Sequence, residues 1–270
     1  MNNLIRTEWL KIKKYKAFWG IIGLTALSYP GISYIFHNIY ENFANKKGET
    51  AAIIKALIGN PFSFPEVWHT LAFSSSLFVF IPSVVVIMFI TNEYTYKTNR
   101  QNIIDGWSRN QFMASKLIDV LLVSLLVTFL YIAICLITGF TSEGDGSDIW
   151  GMAYYSGLFA LQTFAQLSIA FLVGFLIRKA FIALGVFMFY FIVFEPILVG
   201  LAKWKANDIG EYLPLEISDR LIPMPAFMGR IDKEAYEKAL ASINIHILYT
   251  VILTSFVWWI CFKLNNRRDL

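Results

Sequence analysis

The sequence predicts an all-α, polytopic membrane protein with six transmembrane helices, and three observations predict it. Of its 270 residues 57% are hydrophobic and 16% charged, whereas soluble domains carry about a quarter charged residues. The apolar residues gather into runs of twenty or more, long enough to cross ~30 Å of hydrocarbon at ~1.5 Å per residue. The runs are continuous, unlike the short alternating strands of a transmembrane barrel.

The six runs cover residues 17–36, 71–91, 117–140, 152–177, 180–202 and 243–262. Basic residues precede the first, but no small-residue cleavage pattern follows Phe36, so it reads as a retained signal anchor. The chain carries no internal repeat or low-complexity tract and is read as one membrane domain over 1–270. If the amino terminus is inside, 14 of the 23 Lys and Arg residues fall on short inner segments, and the other nine are spread over a longer outer sequence. The positive-inside rule therefore predicts that both termini are cytoplasmic, and the membrane is read as a bacterial plasma membrane. Basic anchors facing anionic lipid account for the net charge of +4 without nucleic acid.

Several residue types are weighed for chemistry and set aside. Cys135 and Cys261 fall inside spans and read as small apolar core residues. His37, His69 and His246 stand singly at span edges without metal-ligand spacing. Ser74, Ser75 and Ser76 have no histidine or lysine nearby in sequence to make one a nucleophile.

The polar stretch from Thr91 to Lys116, TNEYTYKTNRQNIIDGWSRNQFMASK, separates the second and third runs. Thr98 with Gln101, and Ser108 with Gln111, have the spacing of capping boxes. They predict a short helix over 99–105, stopped by Gly106, and a second helix that runs through Arg109, Phe112 and Lys116 into the third span. The short helix gathers Ile103, Ile104 and Trp107, with Arg100, Gln101 and Asp105 among its polar positions. Two readings stand: a helix lying at headgroup level, or a docking element for a soluble partner. At the amino terminus, Leu4, Ile5, Trp9 and Ile12 recur at helical spacing, with Arg6, Lys13 and Lys14 among the polar positions. This predicts an amphipathic interfacial helix before the first span.

The same loop resembles the one after the second span in permeases of type-2 ATP-binding-cassette (ABC) exporters. There an acidic residue at the membrane edge precedes a Thr–x–Arg element, an apolar patch and a Ser–Arg pair, and a Lys opens the third span. The matching positions are Glu93, Thr98 with Arg100, Ile103 with Ile104, Ser108 with Arg109, and Lys116. Lys97 stands where the family commonly has glycine. The resemblance covers the whole chain by topology and this loop by motif. It implies that Glu93, Thr98, Arg100, Ile103, Ile104, Trp107 and Arg109 form a cytoplasmic coupling helix and its flanks, docked to a separate ATPase subunit that holds ATP and Mg. It also implies that two permease protomers make the pathway, and that the N-terminal helix touches the ATPase. None of the sixteen glycines is followed by lysine, so the chain has no phosphate-cradling G-x-x-x-x-G-K-[ST] loop of its own. It is therefore read as a permease, not an enzyme, with no cofactor or metal on this chain.

Within the spans, Gln162 and Gln166 lie one turn apart on one face of the fourth, as interhelical glue or pathway lining. Glu195 is followed by Pro196 in the fifth, which predicts a bent or broken helix near the outer face. One reading makes this an outer gate or re-entrant turn, as the resembling family has there; the other lets the carboxylate snorkel to the outer surface. Residues 203–242 read as the largest outer loop, interrupted by Pro214, Pro223 and Pro225, with a short helix over 232–241, and with the loop 37–69 they cover the outer mouth. The leading function is the membrane subunit of an ATP-driven exporter. The alternatives are a non-transporting scaffold or immunity-type protein that binds a cytoplasmic partner, and a secondary transporter.

Overall fold

Every secondary-structure element among the described residues is a helix. The computed structural model describes residues 13, 15–44, 60–142, 148–205, 208–229 and 232–267. The N-terminal amphipathic segment around Leu4, Ile5, Trp9 and Ile12 and the loop portion 45–59 lie outside the described residues.

Span 1 is α1 (Lys16–Ala44). Span 2 is a pair, α2 (Val67–Ser76) and α3 (Phe80–Thr95), and α4 (Thr98–Ile104) follows it. Span 3 is α5 (Arg109–Thr141) and span 4 is α6 (Tyr154–Ile177). Span 5 is α7 (Ala180–Phe189), a π-helical turn (Tyr190–Phe194) and α8 (Glu195–Trp204). A 3-10 turn (Asp208–Tyr212), α9 (Pro214–Asp219) and α10 (Ala226–Gly229) lead to span 6, α11 (Lys233–Arg267). Five of these spans are single helices long and apolar enough to cross a membrane, and the bent pair supplies the sixth. The protein is an all-α, multi-pass membrane protein.

Span 4 is the hub. In its apolar window 61% of residues are buried, against 22–39% in the other single-helix spans, and it packs against spans 2, 3, 5 and 6. Gly174 lets span 2 approach closely, since a Cβ there would stand 2.7 Å from Ile90 Cγ2. Tyr131 of span 3 meets Phe159 at 4.7 Å between ring centroids, and Trp258 of span 6 stacks on Phe171 at 4.9 Å. Trp258 Nε1 also donates to Ser168 Oγ at 3.0 Å, which gives the indole a partner inside the bundle.

Three elements differ from the sequence reading. The second span is not one continuous helix: it bends by 50° between Ser76 and Phe80. Ser74 and Ser76 donate to carbonyls three residues back, at Leu71 and Phe73, which competes with the regular ladder. Pro82 has no N–H for the Phe78 carbonyl, which takes Ile81 N instead at 3.0 Å. The fifth span, by contrast, is not broken at Pro196 but runs on as one continuous helix. The π turn absorbs the proline, because Glu195 N–H reaches back five residues to Tyr190 O and widens the helix ahead of the ring. The short helix predicted over 232–241 is the first part of α11, continuous with span 6.

Candidate functional site

Two polar clusters stand at opposite ends of the bundle. One lies where α3, α4 and α5 meet the C-terminal end of α11, here called the basic end.

There Lys97 joins α3 to α4 with left-handed backbone, φ 57° and ψ 22°. That conformation explains why glycine is common at this place in the resembling permeases, since a side chain there costs roughly 1–2 kcal/mol. Lys97 is exposed, so Lys97→Gly should leave packing alone and stabilise the fold by up to about 1 kcal/mol, after glycine's greater freedom in the unfolded chain is subtracted. Thermal unfolding in detergent checks this; a lowered midpoint would contradict it.

The expected capping box at Thr98 does not form. Thr98 Oγ1 donates to the Glu93 carboxylate instead, and the N-cap position has no side-chain bond. The box at Ser108 does form, with Gln111 N bonded to Ser108 Oγ at 3.2 Å and Ser108 N to Gln111 Oε1 at 2.8 Å. Between them Gly106, at φ 97°, ends α4 in a Schellman arrangement: Trp107 N reaches Asn102 O and Gly106 N reaches Ile103 O, each at 3.0 Å.

Beneath α4 is a buried ionic cluster. Lys116 Nζ bonds Glu93 Oε1 at 2.8 Å and Asp119 Oδ2 at 3.2 Å, and the three residues are 2–4% exposed. Glu93 thus faces inward and fastens the loop through Thr98. Asp119 escaped the sequence reading although a signal was present, a carboxylate three residues past a lysine inside an apolar run. Arg109 also turns inward: its Nη1 donates to Asn266 O at 2.9 Å and Asn265 O at 3.4 Å, at the end of the last helix. Asn265 Nδ2 returns a bond to Arg109 O at 2.8 Å. A cation on the last carbonyls of a helix is electrostatically favoured.

Ile104 is the residue left outward, 77% exposed, with Tyr96 at 73%. Arg100 is exposed, and Ile103 and Trp107 are half-buried. The seven residues implied at this site therefore divide into those that hold the platform (Glu93, Thr98, Arg109) and those that its surface offers (Arg100, Ile103, Ile104, Trp107).

The cluster at the far end joins the intramembrane residues singled out in the sequence. Glu195 is 2% exposed and does not snorkel. Its Oε1 accepts the backbone N–H groups of Leu215 and Glu216, each at 2.7 Å, and so caps α9, whose Pro214 stands in the first turn. Gln162 and Gln166 both donate to Asp219 Oδ1, at 2.7 and 2.6 Å. These glutamines lie about 12 and 18 Å below the start of α6. Residues 208–219 therefore fold back into the bundle rather than only covering its mouth. Gly210 permits the return, because a Cβ there would sit 3.0 Å from Ala202 Cβ. Arg220 braces the segment through Glu211 and Glu216, each at 3.1 Å.

Asp219 lies between spans 5 and 6. Burial among protein atoms lifts its carboxyl to about 7, with Glu216 and Glu195 pushing the same way and the two amide donors opposing. Its side chain still opens on one side to a pocket. No local pattern in PLEISDR announces this residue, because its partners are more than fifty positions away.

Six spans, an anchored surface helix at one end and a folded-back helix at the other define a polytopic membrane protein. The family description "ABC-2 family transporter protein" matches residues 4–194. The chain belongs to the ABC-2 transporter family and is a membrane component of an ABC transport system, a class that works with an ATP-binding-cassette partner. A search of curated proteins finds no match to the chain.

Proposed function

We propose that the chain is the transmembrane subunit of an ATP-driven exporter, pairing with a second permease protomer and coupled to a separate ATPase through α4. The observation that carries this reading is the exposed Ile104 on a helix anchored from beneath by Glu93, Lys116 and Asp119. An apolar side chain held out rigidly suits a groove on a soluble partner, because little ordering entropy is lost on docking. The basic end then faces the cytoplasm of a bacterial cell, in keeping with the distribution of Lys and Arg. ATP and Mg belong to the partner, and the energy of hydrolysis arrives through the loop.

The test is capture of the ATPase. Ile103→Ala with Ile104→Ala should weaken binding by roughly ten- to a hundredfold, as truncation of interface anchors typically costs ~1–3 kcal/mol. The folded permease should survive, since Ile104 is 77% exposed. Normal capture and normal stimulated hydrolysis by the double variant would end the coupling role and leave α4 as a headgroup-level helix.

A further inference from the structure

A pocket of 260 Å³ lies between span 5 and the folded-back helix α9. Phe191, Val199 and Leu215 give it an apolar wall, and Glu195, Glu216 and Asp219 give it an acidic one. Glu216 is paired with Arg220. Glu195 and Asp219 are held by neutral donors instead, backbone and amide N–H groups with the Tyr190 hydroxyl beside Glu195.

Both carboxylates keep binding capacity in reserve. Glu195 Oε2 is buried with no donor at hydrogen-bond geometry, and the Tyr190 hydroxyl is the one side-chain donor that faces this carboxylate among the described residues. Both amide bonds to Asp219 fall on Oδ1, and the residue is more than a third exposed. Lys203 also lines the pocket, is exposed, and among the described residues pairs with neither carboxylate. A buried oxygen without a donor is costly, and an ammonium group brings three donors with a complementary charge. Ligand pockets usually measure ~300–1,000 Å³, so this one suits a head group and a short stem rather than a whole amphiphile.

We propose that this pocket receives the ammonium group of an amphipathic amine, its hydrocarbon stem lying against Phe191, Val199 and Leu215. This adds a ligand class to the export reading and rests on that reading only for the amine's being cargo. Binding itself requires no ATPase.

Gly200 lines the pocket and a Cβ there meets no atom within 4 Å, while Cys135 and Cys261 are buried. Gly200→Cys therefore supplies a thiol at the wall. The test uses purified permease in nonionic detergent at about pH 8, above the Asp219 carboxyl. A trimethylammonium methanethiosulfonate should modify this thiol roughly tenfold faster than a sulfonate-bearing one, each rate corrected by its rate on a free thiol. Asp219→Asn keeps the Oδ1 acceptor and should cut the preference to about threefold or less. Hexylammonium should slow the cationic reagent, and hexanol should not. Equal corrected rates, no reaction with either reagent, or equal protection by hexanol would mean a hydrated or apolar cleft only and overturn the proposal. The Ile103 and Ile104 variants do not enter this assay, so failure of α4 coupling and failure of amine binding remain separate results.

Discussion

Replacing Lys116 by methionine is expected to cost about 3–5 kcal/mol, the scale for removing one partner of a buried ion pair. The methionine fills similar volume, so the loss is electrostatic. Glu93 and Asp119, 4% and 3% exposed, would remain as like charges around a vanished cation. One of them must then take up a proton or draw in water. Because Thr98 hangs on Glu93, the disturbance should reach α4, and protease cleavage within 96–108 should accelerate. Thermal unfolding of the purified permease measures the first effect and timed proteolysis the second. Adding Glu93→Gln and Asp119→Asn to the same variant should recover most of the stability, since neutral groups need no counter-ion. A loss under about 1 kcal/mol for Lys116→Met alone would show that the cluster is hydrated and that α4 is anchored by other means.

Glu195→Ala is expected to release the folded-back helix. Leu215 N and Glu216 N would lose their shared acceptor in a place where Leu215 is 3% exposed. An unsatisfied buried donor costs about 1–3 kcal/mol, so two give roughly 2–6 kcal/mol if the segment stays put. The cheaper response is for residues 214–219 to leave, which would expose their amides to exchange. Hydrogen exchange there should quicken at least about tenfold in Glu195→Ala, the kinetic equivalent of ~1.4 kcal/mol. Glu195→Gln keeps an amide oxygen as acceptor and should move exchange much less. Equal acceleration in both variants would mean that negative charge, rather than the acceptor alone, holds the cap.

The six spans were legible because length and hydropathy are summed over twenty residues and tolerate local detail. The 50° bend in span 2 was not, because it depends on Ser74 and Ser76 turning back on their own carbonyls and on Pro82 withholding one donor inside an unbroken apolar run. Thr98 and Ser108 had the same capping spacing, yet only Ser108 caps. Thr98 has a stronger acceptor five residues back in an ionised carboxylate, which a local motif does not weigh. Gln162 and Gln166 announced themselves as polar residues in an apolar helix, but their shared acceptor Asp219 is 57 and 53 positions away. Arg109 matched a surface motif, and its inward turn is fixed by carbonyls 156 and 157 residues on. What escaped the sequence is non-local pairing; what it disclosed is the periodic burial of each helix.

The unbroken helix Lys233–Arg267 runs 35 residues, or about 52 Å, against roughly 30 Å of hydrocarbon. Its first turns carry Lys233, Glu234, Glu237 and Lys238, so much of the surplus of about 20 Å stands clear of the hydrocarbon, as a post set through the bilayer. Its foot is clasped by Arg109 and Asn110. Near its head Tyr236 rests against Gly229, at the end of the segment that carries the folded-back helix. The same post meets the folded-back helix partway up, where Thr250 Oγ1 reaches Ile217 O, so one rigid rod touches both polar clusters about 22 Å of helix apart.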